Sequence, residues 1–375
     1  LLVYLSGKLF PFFTNIKKWS KNGKKWFEQE IKYQIYPDGT FLQFSMNYHR
    51  VVIQLLTWGI QLSKINRDVF DKIVYERAEK SLHFLDVCSD QLSGKLPNYG
   101  LNDGALFFKL NNDDYRNYRS QLDDLRGVLK GYTNYKSNST YWYGIKAYYK
   151  KPKENVELNS FESSGYYIIN DGNTKTFIRC GSYKDRPYQS DNLHVDIWVD
   201  GLNILRDNGS FKYNTSTSLI EYFNGSGGHN TIGIEDESQM KKGKRFIWYY
   251  WIKNSFAEIY KKENKFNFNG KINAFRQIGN NIWHKRKVIK ICGKNEWIIE
   301  DKLEGVNNKI SSQYWHFPVN LKNKLSIKSY DNENKEIRPL LEEKWYSSYY
   351  GIKESSLRIK FSSKTNKFIT KINFT

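Results

Sequence analysis

The sequence predicts an α+β chain in which a helical region precedes a strand-rich one. Three observations carry this. Apolar residues recur at helical spacing between Trp19 and Leu125, and from about Phe161 onward the pattern changes to short β-branched and aromatic runs separated by Asn, Gly, Asp and Lys. Between them, Lys150 to Ser160 opens on KKPKEN and reads as a linker. The 375 residues suffice for two cores, which places a helical domain at 1–150 and a strand-rich domain at 161–375.

In the first region, Trp19, Trp26, Phe27, Ile31 and Ile35 fall on one helical stripe. Val51, Val52, Leu55, Leu56 and Ile60 do so again after the Pro37-Asp38-Gly39 break, so two antiparallel helices follow. A third pattern runs from Val69 through Leu85 and ends near Leu92-Ser93-Gly94, with His83 read as core. A fourth runs from Tyr115 to Gly131. The runs YYIIN, TFIRC, NTIGI, FIWYYWI, KVIKIC and EWIIED read as strands.

Hydrophobic residues make up 39% and aromatic residues 17%, so a folded, soluble chain is expected, and no apolar run approaches the roughly 20 residues a membrane-spanning helix needs. The opening LLVYLSGKLFPFF has no basic leader and no small-residue cleavage site, so it does not read as a signal peptide. It reads as the middle of a helix. With 59 Lys plus Arg against 39 Asp plus Glu, the formal charge of +20 favours an acidic partner, either glycan or nucleic acid, although a compositional bias toward Lys, Asn, Ile and Tyr explains the charge equally well. No basic helix stripe or aromatic signature of a nucleic-acid module accompanies that charge, which argues against nucleic acid. Cys88, Cys180 and Cys292 lack metal-ligand spacing and read as buried thiols.

The run from Asp185 to Asn214 is the most informative. It sets His194, Asp196 and Trp198 on one strand face and Val195, Ile197 and Val199 on the other, as in a groove wall. Asp200-Gly201 has the residues of a tight hairpin turn, and Asn203 to Arg206 return as the partner strand. This run resembles the sheet domain of the heparinase II/III-like polysaccharide lyases. Ile35 to Val52 resembles that family's Asp-Gly, Glu-x-Ser and Tyr-His stretch, Leu96 to Phe107 its Asn-Asp-Gly loop, and Tyr222 to Met240 its His-Asn-Thr strand.

The resemblance implies an incomplete α/α toroid, truncated at its N-terminus, followed by an antiparallel β-sandwich, with a cleft between them. It implies cleavage of a uronic-acid-containing acidic glycan by β-elimination, with Tyr48 as acid and base and His194 in the cleft. If Ser45 caps the following helix, Tyr48 lies in its first turn, where the helix dipole favours a phenolate. His49, Gln43, Asn102, Asp103, Arg186, Gln189 and Trp198 are the substrate-contact candidates. Five of them have a plainer reading: packing for Trp198, turn chemistry for Asn102 and Asp103, a surface ion pair for Arg186, a structural hydrogen bond for His49. Gln43 stands where the family usually has Glu, and the family's Asn-His pair is not found before the Asp-Gly segment.

The resemblance also implies a structural metal at positions matching Gln189, Asp207 and His229, usually with His in place of Gln189. An amide oxygen is a poor zinc ligand, so no cofactor, or a weakly held divalent metal on Asp207 and His229, is expected. Turn capping by Asp207 and a backbone-bonded buried His229 are the alternatives. A non-catalytic glycan-binding protein of the same fold, serving capsule or exopolysaccharide production, is the second functional reading. The resemblance favours a periplasmic or secreted location, and the sequence leaves the oligomeric state open.

Overall fold

The computed structural model describes residues 1–135, 137–153 and 156–375. The chain forms two compact units. The first comprises Leu1–Ser89, Ser93–Leu96 and Ala105–Glu154; the second comprises Asp90–Leu92, Pro97–Gly104 and Asn155–Thr375. Residues 154 and 155 of the expected linker lie outside the described residues. Its far end already belongs to a strand, Leu158–Phe161.

The first unit holds helices α1 (Leu2–Leu9), α2 (Ile16–Gln34), α3 (Met46–Ile65), α4 (Lys72–Cys88) and α5 (Arg119–Lys130). Their ends follow local chemistry. The Ser45 hydroxyl accepts from the Tyr48 amide at 3.1 Å, Asp71 caps Ile73 at 3.0 Å, and α5 stops at Gly131, whose φ of 74° suits a residue without a Cβ. The core is built from Ile53, Leu56 and Ile60 of α3, Val74, Ala78 and Leu85 of α4, and Leu122 and Leu125 of α5. At Gly23 of α2 a Cβ would lie 2.2 Å from the Tyr4 amide, so the close crossing with α1 requires glycine.

Three expectations need correcting here. Trp19 and Trp26 are 40% and 53% exposed, and α2 buries Ile16, Gly23, Phe27 and Ile31 instead. Val69 precedes α4 and is exposed, and His83 points to solvent from between buried neighbours. Among the described residues no helix is long and apolar enough to cross a membrane.

The second unit is built from three large antiparallel sheets, with a two-stranded one, Lys241–Lys242 with Trp248–Tyr249, beside them. A seven-stranded sheet runs in the order Ser255–Lys262, Lys265–Asn273, Trp283–Ile291, Glu296–Glu304, Lys367–Phe374, Leu325–Tyr330 and Glu336–Ile337. Its inner face presents Phe266, Phe268, Val288, Trp297, Ile299, Phe368 and Ile372. Two smaller sheets cover that face. The five-stranded one (Leu158–Phe161, Tyr166–Asp171, Thr174–Arg179, Val195–Val199, Leu202–Leu205) meets it where the Tyr167 and Phe268 rings lie 5.2 Å apart and where the Trp297 indole donates to Thr176 at 2.9 Å. The four-stranded one (Pro339–Tyr349, Ile352–Ser363, Ser311–Phe317, Ile232–Ile234) meets it through Gln313, which donates to Asp301 at 2.7 Å and accepts from Thr370 at 2.6 Å. The Asp200-Gly201 turn has positive φ at both residues, 47° and 77°, which fits a two-residue hairpin between Val199 and Leu202.

Candidate functional site

Tyr48 lies in the first turn of α3, a helix of 20 residues, as Ser45 capping requires. The buried stripe of α3 passes through Met46, Asn47, His49, Arg50, Ile53, Gln54 and Leu56, whereas Tyr48, Val51, Val52 and Leu55 are half-exposed. Tyr48 is thus not a core tyrosine, and the amino-terminal end of the helix favours negative charge beside it. Beneath it, Asn47 accepts from Arg50 at 2.8 Å and from the Tyr115 hydroxyl, and the Arg50 guanidinium lies 4.1 and 4.4 Å from the Tyr115 and Tyr118 ring centroids. His49 is buried, 5.6 Å from the Phe84 ring and 5.9 Å from that of Phe41. Burial depresses its pKa to about 3, so it stays neutral and structural.

In the second unit, His194, Asp207 and His229 come together, all fully buried, with one ligand-type atom of each within 4.8 Å of the others. His229 Nδ1 and Asp207 Oδ2 are 2.9 Å apart. Burial pulls the His229 pKa down, but the Asp207 carboxylate outweighs it and holds the imidazole above its usual value. The set expected with Gln189 is replaced by one with His194; Gln189, also buried, directs its amide toward the Gly209 and Phe223 carbonyls.

Two imidazoles and a carboxylate suit a divalent metal in kind. Their spacing here is looser than a bound zinc would impose. The Asn230 amide donates to His194 Nδ1 at 3.0 Å, which places the ring proton of neutral His194 on Nε2, the atom facing the cluster. That Nε2 is 4.0 Å from Asp207 Oδ2, wider than the roughly 3.3 Å between neighbouring ligands of a tetrahedral zinc. As arranged, Asp207 and His229 are hydrogen-bonded to one another and the His194 ring lies beside them.

The groove-wall expectation is overturned by burial. Strand Val195–Val199 is buried on both faces, because its polar residues satisfy one another. Asp196 accepts from the Trp198 indole at 2.5 Å, from Asn203 at 2.6 Å and from the Asp207 amide at 3.1 Å. Trp198 is 4% exposed and offers no face to a sugar, and His194 is 0% exposed. Asn102 is buried, its side-chain oxygen accepting from the Gly104 amide at 2.8 Å and its backbone N–H donating to the Ser210 hydroxyl at 2.8 Å, which is the turn role. Asp103 and Gln43 are half-exposed. His284 and His316 are both buried in hydrogen bonds, to Asp301 and Asn208 respectively.

One open site of this unit lies beside Arg186. A cavity of 470 Å³ is walled by Tyr188, Tyr213, Phe246 and Trp248 and carries Lys212, Lys242, Lys244 and Arg245, with Glu221 as its acid. Arg186 stacks over the Tyr188 and Phe246 rings at 4.7 and 5.4 Å and donates to the Tyr188 hydroxyl at 2.7 Å. Burial, and then the neighbouring Arg186 charge, lower the Lys242 pKa. An anion in this cavity would relieve that repulsion while the rings supply flat apolar walls. Five of these residues, Lys242, Lys244, Arg245, Phe246 and Trp248, come from KKGKRFIWYYW, Lys241 to Trp251. Its aromatic part reads as a core strand in the sequence, yet Phe246, Ile247, Tyr249 and Tyr250 are exposed and only Trp248–Tyr249 pairs, with Lys241–Lys242. The basic residues leading into that aromatic run were the available signal.

Comparison with known proteins follows the same lines. The family described as heparinase II/III-like, C-terminal, matches residues 153–375, and heparinase II/III N-terminus matches residues 2–89. A heparin-sulfate lyase of Bacteroides thetaiotaomicron is 23% identical over 270 residues, 64% of this chain and 36% of the relative. One from Bacteroides stercoris is 24% identical over 243 residues, 62% of this chain and 34% of the relative. The chain therefore spans about a third of the length of these relatives. A solved heparinase III superimposes on all of this chain and 57% of its own with a TM-score of 0.77 at 16% identity. The heparan sulfate lyase HepC of Pedobacter heparinus covers 99% of this chain and 58% of its own, with a TM-score of 0.73 at 18% identity. The fold is thus an incomplete α/α toroid followed by an antiparallel β-sandwich, as expected.

Proposed function

The chain belongs to the heparinase II/III-like family, and from that premise we propose that it acts on a uronic-acid-containing acidic polysaccharide by β-elimination. The single observation that carries the substrate class is the cavity at Arg186, where cations and aromatic walls converge. A carboxylate or sulfate pairs with Lys242 and Arg186, and a pyranose ring packs on Tyr188 or Phe246. In the reaction a base takes the C5 proton, the C4–O bond breaks as the C4=C5 double bond forms, and an acid protonates the departing oxygen. We assign Tyr48 the acid and base roles, supported by its half-exposed place at the amino-terminal end of α3. His194, fully buried, acts in our reading as support for the Asp207–His229 pair rather than on substrate. No step depends on a metal.

A second reading, binding without turnover, is favoured by Gln43, an amide that cannot act as a base. Ultraviolet absorbance of unsaturated uronate, followed while the full-length protein is incubated with a panel of acidic glycans, separates the two. A rise that Tyr48→Phe abolishes while glycan binding persists is the expected result. Binding without any rise would establish the second reading, and undiminished turnover in Tyr48→Phe would remove that residue from its role.

A further inference from the structure

On the outer face of the seven-stranded sheet, strand register aligns Lys271, Lys285, Lys302 and Lys367 in one row across four neighbouring strands. Phe256 ends the row opposite Lys271. Adjacent strands lie about 4.8 Å apart, so these side chains leave the sheet as neighbours, and like charges directly opposite destabilise a sheet in the absence of counter-charge. Glu304 answers only part of it, at 2.7 Å from Lys285 and 3.1 Å from Lys302. Among the described residues Lys271 and Lys367 have no ion-pair partner, and Lys271 instead lies over the Phe256 and Trp283 rings at 4.6 and 5.5 Å. The smaller sheet shows the ordinary solution, with Arg358 opposite Glu342 and paired to it at 2.7 Å.

The row lies along an open trough of 730 Å³, whose lining also carries Lys287, Glu258 and Glu300, so lysines outnumber the glutamates there. We propose that this face is a second binding surface for the acidic polysaccharide, holding the polymer along the lysine row while the cavity at Arg186 takes a short segment of it. The ligand class rests on the function proposed above. Regularly spaced cations match a polymer with regularly spaced anions, and the exposed Phe256 ring gives one end an apolar contact for a sugar face. A surface of this kind favours long chains over short ones, because a chain held at one place is presented to the other at high effective concentration.

The test is a triple variant, Lys271→Gln, Lys302→Gln and Lys367→Gln, which spares the Lys285–Glu304 pair. Relief of like-charge repulsion means it should melt no lower than the parent. Its affinity for long heparin chains should fall at least about tenfold, with heparin tetrasaccharide binding unchanged. Lys242→Gln should weaken both. Long-chain affinity equal to the parent's would overturn this inference alone, whereas loss of tetrasaccharide binding and product formation in the parent would sink the proposed function and leave the lysine surface measurable. Polydeoxythymidine binding as tightly as heparin, with the same loss in the variant, would reassign the face to nucleic acid and overturn it too.

Discussion

Asp301 in the sheet unit and Asp124 in the helical unit are both carboxylates withdrawn from water, at 0% and 4% exposure, yet they titrate in opposite directions. Burial alone raises a carboxyl pKa. At Asp301 the Arg286 guanidinium, donating at 2.7 Å to each oxygen, together with His284 at 2.6 Å, outweighs burial and holds the carboxyl well below its usual range. At Asp124 the only opposing group is the Ser139 hydroxyl at 2.6 Å, and Asp123 adds repulsion, so the pKa rises to about 7. Asp123 itself, beside Arg126 and two backbone amides, rises to about 6. The balance between the cost of burial and the strength of the opposing partners decides in which direction a buried acid shifts.

The largest effect should come from breaking the charged side of this contrast. Arg286→Met strands Asp301 without its cation and should cost about 3–5 kcal/mol in urea unfolding, most of it recovered in the double variant with Asp301→Leu. A single-variant loss below about 1 kcal/mol would mean the charge was not held. Next is Asp124→Asn. Because the folded pKa lies above the unfolded one, the stability from Asp124 is complete below about pH 4 and lost as pH rises through about 7. The asparagine variant should therefore be more stable than the parent by on the order of 3–4 kcal/mol at pH 8 and equal to it near pH 4, as thermal melts across pH would show. Smallest is Ser139→Ala, which removes the hydrogen bond to the ionised form. It should cost about 1 kcal/mol at pH 8 and less at pH 5; equal losses at both would assign Ser139 a packing role.

How much of this was readable beforehand depends on whether the cause was local. The Ser45 cap, the end of α5 at Gly131 and the Asp200-Gly201 hairpin are decided within a few residues, and the spacing predicts each. Strand Val195–Val199 was misread because alternation of polar and apolar residues ordinarily means one wet face. Here the polar face is dry, since Asn203, the Trp198 indole and the Asp207 amide arrive from a neighbouring strand, its own strand and a following loop to satisfy Asp196. The pairing of His194 with Asp207 and His229 is likewise tertiary, and so was hidden. The Arg186 cavity was half visible: Arg186 stood out, but the aromatic wall behind it carried the hydropathy of a core strand.

Arg286 does more than neutralise Asp301. Its other terminal nitrogen donates to the carbonyls of Leu193 and Asn230, the residues just before His194 and just after His229. One side chain of the large sheet thereby ties the two segments that carry the imidazoles to the opposite layer, so neither can open by itself. The amide of Asn230, clasped against His194, should then exchange with deuterium only when the whole sandwich unfolds, and its protection should collapse first when that guanidinium is removed.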